Sequence, residues 1–315
     1  MEKDKIVVVM GGTSTEAEVS RRTGKAILDA LLEKGYHAEG MELDPMRFAS
    51  DIQKSGCGIV FNALHGKFGE DGLVQGTLDM LGIPYTGSGV LAAAITMDKA
   101  ATKQVFRAEG ISTPRSITLH RHEQGPELVR RIEAEFSFPM VVKAATQGSS
   151  IGVYITANRQ ELEQALEGAF AYDKVVLVEE FIRGKELTVA VWGNAEHQEA
   201  LPIIEITTLS GRYDYESKYT KGASSHIIPA RIPAETAKAV EALAVRAFAA
   251  CGCEGVARVD LMLGEDGVPY AIEVNSVPGM TETSLVPDAA RAKGISFPEL
   301  CERILDMAGF PTKQA

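Results

Sequence analysis

The sequence predicts a mixed α/β and α+β chain in three domains, the first built on a doubly wound parallel sheet. Three observations predict this. The chain has 315 residues, enough for two or three domains at roughly 150 residues each. Its first ninety residues alternate strand and helix patterns, the mark of βαβ units. Past Thr96 the strand signals crowd together, as an antiparallel α+β unit requires.

Ile6 to Met10 is a continuous apolar run ending in Gly11-Gly12, the look of a strand buried on both faces. A helix follows, with apolar residues at Val19, Ala26, Ile27, Ala30 and Leu31, and Gly35 stops it. Gly58 to Phe61 reads as the second strand, with a loop from Asn62 to Gly72 and a helix to Leu81 behind it. The next unit opens with a helix from Asp98 to Glu109 that breaks at Gly110. Strands at Met140–Lys143, Gly152–Ile155 and Val175–Glu180 enclose a helix from Arg159 to Phe170. Beyond Gly184 come a strand from Glu186 to Trp192, a strand-poor stretch from Leu209 to His226, and a helix from Ala234 to Cys251. A hairpin from Val256 to Asn275 and a helix from Phe297 to Ala308 complete the chain. The domains are expected at 1–95, 96–183 and 184–315.

Composition removes several classes of function. A net charge of −11 argues against non-specific nucleic-acid binding. The longest nearly apolar stretch, Val90 to Met97, is far short of the roughly 20 residues of a membrane span. Ile6 to Met10 is also too short for the apolar core of a signal peptide. Cys57, Cys251, Cys253 and Cys301 make no disulfide framework, and Cys251-Gly252-Cys253 lacks the two-residue spacer of a redox or zinc pair. They read as buried thiols of a cytoplasmic protein.

The hairpin concentrates the chemistry. Strand alternation puts Arg258 and Asp260 on one face, and likewise Glu273 and Asn275. A reversal centred on Glu265 to Val268 sets Asp260 opposite Glu273 and Arg258 opposite Asn275. Two carboxylates and an amide oxygen suit Mg²⁺, which keeps phosphate and water as further ligands. A solvated face with a cross-strand Arg–carboxylate pair is the alternative. Lys143 precedes Gln147-Gly148-Ser149-Ser150-Ile151-Gly152, whose backbone N–H groups can approach phosphate closely. A strand follows, so this is a phosphate-covering hairpin and no Walker loop; an ordinary Gly-Ser turn is the alternative. Between the first strand and helix, Thr15-x-x-Glu18 fits a capping box. That box places Glu16 in the first helical turn, either pairing with a ligand ammonium or simply complementing the helix dipole. His65 lies past the second strand, at the edge where open α/β sheets bind ligands. Arg212 to His226 is polar, tyrosine-rich and long, as in a lid or a surface excursion.

Read together, these segments resemble the D-alanine–D-alanine ligase family of the ATP-grasp superfamily. The matching pieces are Gly11-Gly12-Thr13-Ser14-x-Glu16-x-Glu18-Val19-Ser20, Asn62-Ala63-Leu64-His65-Gly66, Gly69-Glu70-Asp71-Gly72 and Thr86-Gly87-Ser88-Gly89. Met97-Asp98-Lys99, Lys143 with Gly148-Ser149-Ser150-x-Gly152, Tyr213-Asp214-Tyr215-Glu216-x-Lys218-Tyr219 and Glu273-Val274-Asn275-x-x-Pro278-Gly279-Met280-Thr281 continue the match in order. Two departures touch the phosphate loop: Ala144 stands where the family often has proline, and Gln147 where it commonly has glutamate.

The resemblance implies a three-domain ATP-grasp architecture. It also implies an enzyme that makes D-alanyl-D-alanine from two D-alanines and ATP, through a D-alanyl phosphate. Lys99, Lys143 and Ser150 would meet the phosphates; Glu180 and Ile182 would hold adenine through the backbone, Glu186 the ribose, and Glu179 would belong to the same ATP-binding set. Asp260, Glu273 and Asn275 would hold two Mg²⁺, with Mn²⁺ as a possible substitute. Arg258 and the Gly279 N–H would stabilise the oxyanion. Glu16, supported by Ser149 and Tyr219 and with His65 close by, would take the first substrate's ammonium; Lys218 and Ser284 would take the second substrate's carboxylate. Tyr219 favours D-alanine over D-lactate as acceptor, and a homodimer is expected, with no nucleic-acid or membrane partner. Two rival readings are a related carboxylate–amine ligase with another acceptor and a non-catalytic nucleotide-binding regulator.

Overall fold

The computed structural model describes residues 5–208, 224–281 and 283–308. The N-terminal unit runs β1 (Ile6–Met10), α1 (Ala17–Glu33), β2 (Ala38–Glu42), α2 (Phe48–Ser55), β3 (Ile59–Asn62) and α3 (Leu73–Leu81). Its strands are parallel in the order β2-β1-β3. Alternate residues of β1 explain the apolar run: Ile6 and Val8 pack on Ile27 and Leu31 of α1, while Val7 and Val9 pack on α2 and α3. Helices on both faces make the sheet doubly wound, as expected. The strand expected second is third. It is preceded by β2, an edge strand with no buried residue, and by α2, which buries only Phe48 and Ile52. The expected capping box is also absent. Glu16 occupies the N-cap position with no side-chain cap bond, and its N–H donates to Ser14 Oγ at 3.2 Å.

The apolar stretch after the first sheet is a helix of its own, α4 (Val90–Met97), and α5 (Lys99–Ala108) starts immediately behind it. Asp98 separates them, its carboxylate accepting the N–H groups of Ala100 and Ala101 at 2.8 and 3.1 Å.

The central sheet comprises β4 (Ser116–His120), β5 (Met140–Ala144), β6 (Val153–Thr156) and β7 (Val175–Glu180), antiparallel in the order β4-β7-β5-β6. Met140, Val142, Val176 and Val178 face α6 (Pro126–Glu135) and α7 (Arg159–Tyr172). The opposite parity turns Lys143 and Glu179 toward α5. Sequence patterning missed β4 and α6; the structure adds both.

The third sheet is β11-β10-β8-β12-β13, from β8 (Gly184–Gly193), β9 (Gln198–Ala200, paired to β8), β10 (Ile204–Thr208), β11 (Ser224–Ile227), β12 (Gly255–Gly264) and β13 (Pro269–Asn275). Leu187, Val189, Val191, Ala257, Val259 and Leu261 bury against α8 (Ala234–Ala250). The other parity presents Thr188, Arg258 and Asp260 to the opposite side. α9 (Leu285–Ala292) and α10 (Phe297–Met307) then share one core with α1 and β1, tying the chain's two ends together. Among the described residues no helix is long and apolar enough to cross a membrane. Cys251, Cys253 and Cys301 are buried free thiols, with burial pushing each pKa up.

Candidate active site

A cavity of about 150 Å³ opens where the three sheets meet. Its wall collects Glu16, His65 and Glu70 from the first unit, Lys99 and Gly148-Ser149 from the second, and Arg258, Glu273, Asn275, Gly279 and Ser284 from the third. Nine of the residues singled out in the sequence thus converge, although 268 positions separate Glu16 from Ser284.

At one end Ser149 Oγ donates to Glu16 Oε1, bringing the phosphate loop onto the start of α1. The loop passes so close that a β-carbon on Gly148 would lie 2.6 Å from Glu16 Oε2 and displace that carboxylate. His65, past the carboxyl end of β3, sets Nε2 3.0 Å from Thr23 Oγ1, and burial pushes its pKa below the ordinary value. Glu70 is buried on the same wall and accepts the Gly66 N–H at 2.5 Å. Burial, then the neighbouring charge of Glu16, push the Glu70 carboxyl up to about 8. Glu70 therefore holds a proton at neutral pH.

Deeper in the cleft, Asp260 faces Glu273 and Arg258 faces Asn275, the expected pairing. The route to it differs. The hairpin tip turns one residue out of that register, with Leu261 opposite Ala271, and a bulge next to Asp260 restores it. Without the bulge Asp260 would face Ile272; the extra residue re-aims Glu273 into the cleft. Asp260 accepts Arg258 Nε and Nη2 at 2.8 and 2.7 Å and Thr188 Oγ1 at 2.6 Å. Lys99 Nζ lies 3.3 Å from Glu273 Oε2 and donates to the Gln147 carbonyl at 2.7 Å. The Arg–carboxylate pair runs along one strand and not across two, so Glu273 and Asn275 remain directed at the same side. This donor set is hard oxygen, with no third carboxylate or imidazole grouped beside it among the described residues. It fits a divalent cation whose remaining ligands are phosphate oxygens.

The other predicted nucleotide residues lie off this cavity's wall, on the adjoining central and third sheets. Lys143 Nζ donates to Glu179 Oε2 at 2.8 Å, and Lys103 Nζ stands 3.1 Å from Glu179 Oε1. Burial would raise the Glu179 pKa, but Lys143 and then Lys103 outweigh it and hold the carboxyl below the ordinary range. The Glu180 carboxylate accepts from the N–H and Nε of Arg115 at 2.7 and 3.0 Å, and residues 181–183 link β7 to β8, Phe181 and Ile182 half-buried and Arg183 exposed. Glu186 lies on β8 opposite Met262 and Ile206. Ser149 and Ser150 adopt φ of 50° and 61°, the tight loop expected of a phosphate cover. Ala144 donates its N–H to the Gly152 carbonyl at 3.0 Å, a bond that proline could not make. Gln147 meets Lys99 through its carbonyl, so that contact is indifferent to its side chain. Lys218 and Tyr219, with most of the expected lid, lie outside the described residues.

Sequence reasoning quoted Glu70 without a role and missed Lys103, Thr23 and Thr188. A lysine in an amphipathic helix and single threonines in a helix and a strand carry no local signal; only burial and partners reveal them.

Two family models match the chain: "D-ala D-ala ligase N-terminus" over residues 38–88 and "D-ala D-ala ligase C-terminus" over residues 105–306. A D-alanine–D-alanine ligase from Pelotomaculum thermopropionicum is 48% identical over 308 residues, covering 96% of each chain. One from Moorella thermoacetica is 48% identical over 307 residues, 96% of this chain and 99% of the other. Among solved structures, the Bacillus anthracis D-alanine–D-alanine ligase complexed with ATP superposes with a TM-score of 0.83 at 35% identity, over 97% of each chain. The VanG D-Ala:D-Ser ligase of Enterococcus faecalis gives 0.83 at 31% identity, over 98% of this chain and 100% of the other.

Proposed function

The chain belongs to the D-alanine–D-alanine ligase family, and from that premise we propose how its cleft joins two D-alanines at the expense of ATP, for peptidoglycan precursor synthesis. The observation that carries the proposal is the convergence on one cavity of Glu16, Arg258 and Lys99, which would supply a carboxylate for an ammonium, a donor for an oxyanion and a cation for phosphate.

Glu16, steadied by Ser149, takes the ammonium of the first D-alanine and so orients its carboxylate. One carboxylate oxygen attacks the γ-phosphorus of ATP, ADP departs, and a D-alanyl phosphate forms. The amine of the second D-alanine attacks the acyl carbon. Arg258 and the Gly279 N–H stabilise the oxyanion of the tetrahedral adduct, which collapses by breaking the C–O bond and expelling inorganic phosphate, the departing phosphate taking the proton lost by the amine. Ser284, which sits 2.8 Å from Thr281 Oγ1 at the start of α9, receives the second carboxylate together with Lys218. Lys99, Lys143 and Ser150 balance phosphate charge. Glu180, Ile182 and Glu186 hold the nucleoside, and Glu179, set behind Lys143, completes the ATP-binding set. Asp260, Glu273 and Asn275 would hold Mg²⁺, which supplies charge neutralisation at the phosphates when bound. Divisions at 1–95, 96–183 and 184–315, a cytoplasmic location and a homodimer belong to the same proposal.

Phosphate release with ATP and Mg²⁺ tests the reading. D-Alanine should drive release with one dipeptide formed per phosphate, and L-alanine should not. D-Serine or D-lactate accepted as well as D-alanine would shift the assignment to another acceptor. ATP binding with no turnover on any amino acid would replace it with a regulator.

A further inference from the structure

Lys103 is a fully buried lysine, at 0% exposure. It lies on α5 one turn beyond Lys99, on the helix face turned to the central sheet. Its Nζ donates to the Pro114 carbonyl at 3.0 Å and stands 3.1 Å from Glu179 Oε1. The second Glu179 oxygen takes Lys143 at 2.8 Å. Two ammonium groups therefore share one carboxylate in a place closed to water, an arrangement that leaves positive charge in excess. Burial pushes the Lys103 ammonium down to about 8 against the pull of Glu179. A buried excess charge is costly unless an anion answers it. The one group of the three that adjoins the phosphate loop is Lys143, at the end of β5.

We propose that Lys103 is a positioning residue for the nucleotide: it neutralises Glu179 from behind the cleft, so that the charge of Lys143 is left for the phosphates. Without it, the Glu179 charge is answered by Lys143 alone, already 2.8 Å away, and the phosphates lose a net positive charge. The inference rests on the nucleotide reading given above. A purely structural lysine, tying α5 to the turn at Pro114, makes a different prediction, because its loss would not depend on Glu179.

Equilibrium binding of ATP and of adenosine to the full chain separates the two. Lys103→Met should weaken ATP about tenfold, the equivalent of one charge-assisted hydrogen bond, and leave adenosine within about twofold. In a Glu179→Gln background the same Lys103→Met change should alter ATP affinity less than about twofold. Equal losses in both backgrounds, equal losses of ATP and adenosine, or no loss at all would overturn the proposal. Should Lys103→Met fail to fold, Lys103→Arg supplies the test. The groups facing Lys103 are Glu179, Lys143 and Arg107. ATP affinity of the unmodified chain should weaken between pH 7.5 and 9.5, roughly spanning deprotonation of Lys103, and that of Lys103→Arg should stay level; matching profiles would refute it. An unmodified chain that binds no ATP sinks the functional reading itself, whereas ATP binding without coupling to Glu179 sinks this inference alone.

Discussion

Arg258 and Glu70 show how single residues set the chemistry of the cleft. Arg258 is held by its two bonds to Asp260, which orient the guanidinium before any charge develops. Preorganised donors of this kind act on the transition state more than on the ground state. Arg258→Ala is therefore expected to lower kcat by about 10²- to 10³-fold and to change ATP affinity only a few-fold; comparable losses in both would remove the oxyanion role. Glu70 makes a pH prediction. Its carboxyl is raised to about 8 by burial and by Glu16, so the native state binds an extra proton between about 4.5 and 8 and loses stability as pH climbs through that window. Glu70→Gln mimics the protonated acid at every pH. Its thermal midpoint relative to the parent should rise across that window and level off above it; a difference independent of pH would contradict the account.

At the scale of elements, the phosphate loop and the β12–β13 hairpin do most of the positioning. Where the loop lies on α1, a β-carbon at Gly148 would meet the Glu16 carboxylate. Gly148→Ala should push Ser149 off Glu16 and raise the KM for the first D-alanine about tenfold or more, the loss of about one strong hydrogen bond; an unchanged KM would show that the contact is dispensable. The hairpin also shows how far sequence reasoning reaches. Asp260 opposite Glu273 was legible from alternation and a turn. The bulge that produces the pairing was not, because nothing in the residues flanking Ile272 marks an extra position. β1, β5, β7, β8 and α8 were legible because each buries a continuous or periodic apolar set. β2, β4, β9 and β10 were not, being short strands with few buried positions or set beside irregular stretches. Glu16, Arg258 and Asn275 stood out through motif spacing, whereas Lys103 looked like any helical lysine.

Across the whole molecule, the cleft exists because three sheets are locked around it. The Thr86-Gly87-Ser88-Gly89 segment docks on the start of β12, where Ser88 Oγ accepts the Glu254 N–H at 3.2 Å. There the backbones nearly touch: a β-carbon on Gly255 would lie 2.9 Å from the Gly87 Cα, and Gly255 has φ of +71°. Backbone cannot yield as a side chain can, so Gly255→Ala should cost about 2 kcal/mol or more and lower the thermal midpoint by several degrees; a midpoint within a degree of the parent would mean that the junction is looser than drawn. A shared core of β1, α1, α9 and α10 holds the two ends of the chain on the same side of the cleft. That explains why residues as distant as Glu16 and Ser284 line one cavity.

The central claim is that the first substrate's carboxylate is phosphorylated before the second amine attacks. D-Alanine labelled with ¹⁸O in both carboxylate oxygens, turned over with ATP and Mg²⁺, tests it by mass spectrometry of the released phosphate. The account predicts one ¹⁸O in each phosphate and one D-alanyl-D-alanine formed beside it. Unlabelled phosphate accompanying dipeptide formation would contradict it.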